Sequence, residues 1–153
     1  MGHVRQMGHV DAPPDKAFAL AVDAKRGPEW NNSIVEVKDV GGMLDTVGAR
    51  YVAILKLGGR RLETRWEVTR VEKPTLLELV ASSPQGGQAS TTTRFEAAGG
   101  GTDMSIEVDY ELPGGFVGGV ADKLFVERAI ERDIKHSLEN FKAICEADVG
   151  VPA

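Results

Sequence analysis

The stretch VADKLFVERAIERDIKHSLENFKAICEA, residues 120–147, decides the fold. It holds no proline or glycine, and Val120, Leu124, Phe125, Ile130, Ile134, Leu138, Phe141 and Cys145 recur at helical spacing. Extended back to Phe116, the pattern predicts one closing helix of roughly 30 residues, about 45 Å long at the usual rise per residue. Such a helix can lie across a whole small sheet.

Toward the N-terminus the period changes from 3.6 to two. Arg61, Glu63, Arg65 and Glu67 alternate with Leu62, Thr64, Trp66 and Val68. Asp103, Ser105, Glu107, Asp109 and Glu111 alternate with Met104, Ile106, Val108, Tyr110 and Leu112. Each row describes a strand with one wet and one apolar face. Strands are expected over 33–40, 49–57, 60–71, 75–82, 88–97 and 102–112. Gly41-Gly42, Gly58-Gly59, Lys73-Pro74, Pro84-Gln85-Gly86-Gly87 and the glycines at 99 to 101 mark the turns between them. Arg94 and Glu96 are placed to pair with the acidic outer row across the last hairpin. Ahead of these, residues 3–12 read as a strand. Pro13-Pro14-Asp15 starts a short helix, since proline fits a first turn and an acid suits a helix N-terminus. Gly27-Pro28 ends that helix, and Pro28-Glu29-Trp30 begins another turn closing near Asn31-Asn32.

The resulting order is β-α-α-β-β-β-β-β-β-α. Short turns between successive strands require antiparallel pairing. The expectation is an α+β fold: a curved antiparallel sheet of about seven strands wrapped around a long C-terminal helix, with two short helices after the first strand. Residues 1–147 are expected to form a single domain and 148–153 a flexible tail.

Composition narrows the function classes. The chain has 153 residues, 42% hydrophobic and 27% charged, enough for one domain with a real core. Its net charge of -5 and lack of a basic cluster disfavour nucleic-acid binding through phosphates. No apolar run approaches the ~18 residues that span a bilayer, and the N-terminus does not read as a signal peptide. The lone Cys145 forms no internal disulfide and sits on the apolar face of the closing helix, as a small buried hydrophobe does. A cytoplasmic protein without stable membrane insertion, monomer or homodimer, is expected.

Several local sequences carry a family resemblance: Ala12-Pro13-Pro14-Asp15-Lys16-Ala17-Phe18, then Asp23, the Pro28-Glu29-Trp30 turn, Ile34-Val35-Glu36-Val37, and Pro113-Gly114-Gly115 before the closing helix. In this order the chain resembles the START-like superfamily (SRPBCC), also described as polyketide cyclase/dehydrase and lipid-transport proteins. Each motif alone is weak, but together they span nearly the whole chain. The resemblance implies a helix-grip fold with an interior cavity between sheet and C-terminal helix. It also implies ligands such as lipids, sterols, quinones, plant hormones or polyketides, with a minority of members catalysing cyclisation or dehydration. Fold membership does not by itself settle function.

Strand parity and the helical pattern nominate the residues that would line such a hollow. They are Trp30, Tyr51, Leu55, Thr64, Trp66, Leu79, Thr93, Phe95, Ile106, Val108, Tyr110, Val120, Leu124 and Phe125. Aromatic rings and hydroxyls among aliphatics suit a pocket in which a few polar groups orient an apolar ligand. The same residues also suit plain core packing. Gly114, Gly115, Gly118 and Gly119 would allow either a hinge or an ordinary flexible turn at the helix start.

Other chemistries find no footing. His3 and His9 lie roughly 20 Å apart along one strand, too far to share a metal ion. His136 is expected in solvent, and no HExxH or CxxC occurs. There is no GxSxG, and the glycines at 99 to 101 link strands instead of opening a helix, so no nucleophile elbow, phosphate loop or cofactor is expected. The leading reading is binding or carriage of a small hydrophobic ligand, such as a lipid, quinone or polyketide. The alternative is a polyketide cyclase/dehydratase-type enzyme using the same cavity, with Tyr51 or Tyr110 as polarising groups. A third, an interaction module, would need a large exposed apolar patch.

Overall fold

Seven runs of alternating side chains form one sheet in the computed structural model, which describes residues 2–57, 59–114 and 120–150. The strands are β1 (Gly2–Val10), β2 (Ile34–Lys38), β3 (Arg50–Leu57), β4 (Arg60–Glu72), β5 (Leu76–Ser82), β6 (Gln88–Ala98) and β7 (Gly101–Glu111). All neighbours are antiparallel, in the order β1-β7-β6-β5-β4-β3-β2. Between β1 and β2 the chain forms α1 (Pro14–Ala21), a 3-10 turn at Ala24–Arg26, and α2 (Gly27–Trp30). The closing helix, α3, runs Val120–Asp148. The sheet is curled and α3 crosses it, which gives the helix-grip architecture.

Local chemistry accounts for the short elements. Proline at the first helical position of α1 has no N–H to leave unpaired, and Asp15 lies in that first turn. Gly99 and Gly100 both have positive φ, so the β6–β7 hairpin turns in two residues without Cβ strain.

Two apolar clusters hold α3 to the sheet. Toward its C-terminal end Leu138, Phe141 and Cys145 pack with Val10, Phe18, Leu77, Phe95 and Met104. Phe141 is 0% exposed, and a phenyl ring so buried is worth roughly 1.5–3 kcal/mol relative to solvent. Nearer its start Val126 and Ile130 pack with Val4, Leu57, Leu62 and Tyr110. Ile134 touches both clusters.

Three sequence expectations change. Phe125 is 63% and Leu124 48% exposed, so the buried stripe begins instead with Val126, Ala129 and Ile130. Phe125 lies five residues from Ile130, about 140° around a 3.6-residue helix, which turns it to solvent. Second, the acidic row of β7 is not met by Arg94, which sits opposite Ser105 and makes no ion pair among the described residues. The partners come from the other side: His3 Nδ1 lies 2.6 Å from Asp109 and His9 Nδ1 2.8 Å from Asp103. Third, Asp148 is not loose. It ends α3, and Arg26 Nη1 donates to its carboxylate at 2.6 Å. Residues 151–153 of the expected tail, and Gly115, Gly118 and Gly119 of the suggested hinge, lie outside the described residues.

Candidate functional site: two joined hollows between sheet and helix

Parity points Tyr51, Leu55, Thr64, Trp66, Leu77, Leu79, Thr91, Thr93, Ile106 and Val108 toward α3, and between the two apolar clusters the packing is incomplete. An inner hollow of about 120 Å³ is walled by the 21–34 segment, by Tyr51, Trp66, Leu79, Thr91, Thr93 and Ile106, and by Ile134 of the helix. An outer one of about 140 Å³ is walled by Leu55, Leu57, Leu62, Thr64, Tyr110, Pro113 and Ile130. Asn31, Trp66, Thr91, Val108 and Ile134 belong to both walls, so the two spaces lie side by side.

A polar clamp fixes the loop that bears Trp30. Asn32 Nδ2 and Ser33 Oγ donate to the Asp133 carboxylate at 2.8 and 3.2 Å. Ser137 Oγ accepts from the Asn32 N–H at 2.8 Å and donates to the Asp133 carbonyl at 2.7 Å. Asn140 Nδ2 donates to the Trp30 carbonyl at 3.3 Å. Arg26 joins α2 to the helix end by bonding both Glu29 and Asp148. The Trp30 ring then stands edge-on to Phe141, with centroids 5.1 Å apart and planes at 89°. Trp30 therefore sits deep against the helix, on the inner wall.

The polar atoms on these walls fall into satisfied and unsatisfied sets. Thr64 Oγ1 donates to the Ala53 carbonyl at 2.7 Å and accepts from Trp66 Nε1 at 2.8 Å. That hydroxyl is committed to holding Trp66, which stacks on Tyr51 at 6.2 Å with planes 11° apart. By contrast, Trp30 Nε1 is buried without a hydrogen-bond partner. The Tyr51 hydroxyl, the Thr91 and Thr93 hydroxyls and the Asp23 carboxylate likewise have no partner among the described residues. Burial pushes the Tyr51 phenol above its ordinary value. Tyr110 is pushed up to about 12, by burial first and then by Glu127 and Glu131 of the helix. Both phenols stay protonated at neutral pH and can donate.

The nominated residues divide accordingly. Trp30, Tyr51, Leu79, Thr93 and Ile106 lie on the inner wall, Leu55, Thr64 and Tyr110 on the outer wall, and Trp66 and Val108 on both. Phe95, 2% exposed, belongs to neither wall: it packs edge-on against Phe18 at 5.6 Å and is core. Leu124 and Phe125 face solvent, and the Val120 side chain is outside the described residues. Leu62 and Thr91, which strand parity also turns inward, lie on the walls as expected, whereas Leu57, Asn31, Ile130, Ile134, Ser137 and Asp23 were missed. Strand parity flags Leu57, which shares its face with Tyr51 and Leu55. Asp23 and Asn31 sit in non-periodic links beside short helices, where no alternation marks which residues border a cavity.

A wider groove of about 550 Å³ crosses the opposite face of the sheet, between Arg50, Arg65 and Glu67 at one side and Ser90, Asp109 and Glu111 at the other. It is open, and its charges are engaged locally, Arg50 with Glu67 and Asp109 with His3. No group of three or more His, Cys, Asp or Glu residues able to hold a metal occurs among the described residues. No described helix is long and apolar enough to cross a membrane.

A curled seven-stranded sheet with a long C-terminal helix across it and a hollow between them defines the helix-grip class. The chain belongs to the polyketide cyclase/dehydrase and lipid transport family, whose model matches residues 1–146. Among solved structures it is similar to TTHA0849 from Thermus thermophilus, at 21% identity and a TM-score of 0.76, covering 95% of this chain and 98% of that one. It is equally similar in shape to the ZhuI aromatase/cyclase from Streptomyces sp. R1128, with a TM-score of 0.76 at 15% identity, covering 96% and 94%. DynU16, a protein of the dynemicin biosynthetic locus, matches at 17% identity and a TM-score of 0.67. There 97% of this chain corresponds to 48% of that one. At these identities the likeness is one of fold. Among curated proteins, none matches the sequence.

Proposed function

We propose that this protein binds or carries a small, largely apolar ligand in the joined hollows between sheet and α3. The observation that carries this reading is the gap between the two packed clusters, with Trp66 and Val108 on the walls of both hollows. Protein interiors are close-packed, so a space of this size lined by aliphatic and aromatic side chains suits a guest better than vacancy. Affinity comes from removing ligand surface from water, at roughly 25 cal/mol per Å² before the costs of association. The test is native mass spectrometry of the purified protein, followed by organic extraction and identification of the released molecule. A second test uses Trp66→Ala, expected to weaken binding of the extracted ligand at least about tenfold, a loss of about 1.4 kcal/mol. A mass equal to the bare chain with nothing released on extraction would remove the proposal, as would unchanged affinity of the variant for a ligand that is released.

A second reading, a cyclase or dehydratase acting in the same space, draws on one observation: the unpartnered Tyr51 hydroxyl on the inner wall. A neutral phenol there can donate to a carbonyl as negative charge develops on it. Under this reading Tyr51→Phe lowers turnover while ligand still binds. Equal turnover in the variant would reject it.

A further inference from the structure

We infer that the outer hollow is a compartment for one benzene-sized ring of the ligand, and that Gly2 keeps it open by seating Tyr110 to one side. The inference rests on the reading of the hollows as a binding site.

Strand register carries it. One inward-facing row crosses the sheet: Tyr51 pairs with Trp66, Trp66 with Ala81, Ala81 with Ala89, Ala89 with Tyr110 and Tyr110 with Gly2. Trp66 and Tyr110 stand three strand spacings apart in that row, roughly 14 Å at the backbone. The floor between them is only the methyl groups of the two alanines. Trp66, Ala81, Ala89 and Tyr110 all line the outer hollow.

Each ring is anchored on the side away from those alanines. Trp66 stacks on Tyr51 and donates its Nε1–H to Thr64. Tyr110 reaches the opposite way, over Gly2. A methyl group at position 2 would overlap Cζ, Oη and Cε1 of that ring, the last at 2.6 Å, far inside van der Waals contact. The phenol therefore occupies the seat that a side chain on residue 2 would fill. Any side chain there must displace the ring, and along the row the other neighbour is Ala89, at the floor of the hollow. Gly2 is thus a positioning residue that acts through Tyr110. The space so left, about 140 Å³, is close to the ~150 Å³ of an engineered apolar cavity that admits benzene. It has room for one ring.

The experiment follows binding by fluorine NMR, titrating the whole chain with fluorobenzene and with the slender hexyl fluoride. Gly2→Ala should weaken fluorobenzene at least about tenfold and hexyl fluoride no more than about twofold. Ala89→Leu, which fills the floor and leaves the seat of Tyr110 untouched, should do the same. Adding Tyr110→Leu to Gly2→Ala should bring fluorobenzene back to within about threefold of the parent, since leucine lacks the ring atoms that the methyl meets. A purely structural role for Gly2 gives no such rescue. Unchanged fluorobenzene affinity in either single variant, equal losses of both probes, or no rescue overturns the inference. If the parent takes up hexyl fluoride and not fluorobenzene, the inference falls while the binding site stands. If it takes up neither, both readings fall.

Discussion

Thr64 shows how one hydroxyl decides what a neighbouring ring can do. It donates to the Ala53 carbonyl and accepts from Trp66 Nε1, so the indole is locked flat against Tyr51. Thr64→Val keeps the side-chain shape but leaves a buried indole N–H and a carbonyl without that partner. The expected cost is about 1–3 kcal/mol, read as a lower urea midpoint, with a changed near-UV spectrum for Trp66. Parity placed Thr64 on the inner face of its strand, and there it lies. Its hydroxyl was expected to orient a ligand and instead serves the scaffold, because sequence gives the side a residue faces and not the partner its polar atom finds. Asn31 is the converse, a residue on both walls that alternation cannot flag since it belongs to no alternating run.

At the scale of elements, α3 was legible in length, in purpose and, from Ile130 onward, in phase, but not at its start. The inward series 126, 130, 134, 138, 141, 145, buried except for the half-buried Ile134, steps by three or four residues, as a single stripe should. Leu124 and Phe125 are apolar yet lie off that stripe, and an apolar pair at a helix start is indistinguishable by composition from a pair facing the core. Two substitutions separate the cases. Ile130→Ala should destabilise by about 2–4 kcal/mol through lost contacts and a residual void. Phe125→Ser should stay within about 0.5 kcal/mol of the parent. Equal losses in chemical denaturation would mean the helix is rotated from the orientation described. The strands were read more completely than the helix. A period of two leaves only two choices of face, and the charged rows of β4 and β7 settle which is wet.

At the scale of the whole molecule, the seam between β1 and β7 joins the first and last strands of the chain, and it is laced with imidazole–carboxylate pairs. The Asp109 hydrogen bond raises His3 above the ordinary imidazole value of 6.5, and the Asp103 bond does the same for His9. A group whose value is raised on folding stabilises fully below its unfolded value and loses that contribution as pH rises through the folded one. Stability should therefore decline between about pH 6 and pH 8, in the window where imidazoles titrate. The decline should flatten in a His3→Gln, His9→Gln double variant and shrink in high salt, since both pairs are solvent-exposed. A parent whose urea midpoint is constant across that range would show that the pairs do not couple to folding. The pairing itself was not readable beforehand. Strand order had to be known before β1 could be seen to set His3 and His9 opposite Asp109 and Asp103.

That seam also sets a timetable. Every other pair of adjacent strands is a sequential neighbour and can zip as a local hairpin, whereas His3 finds Asp109 at a separation of 106 positions along the chain. Loop closure over such a span follows the local contacts. The N-terminal strand must thus wait, unpartnered, while β2 to β7 assemble, and it docks only once its berth has been built. During synthesis on the ribosome it emerges ahead of its partner and is seated after it.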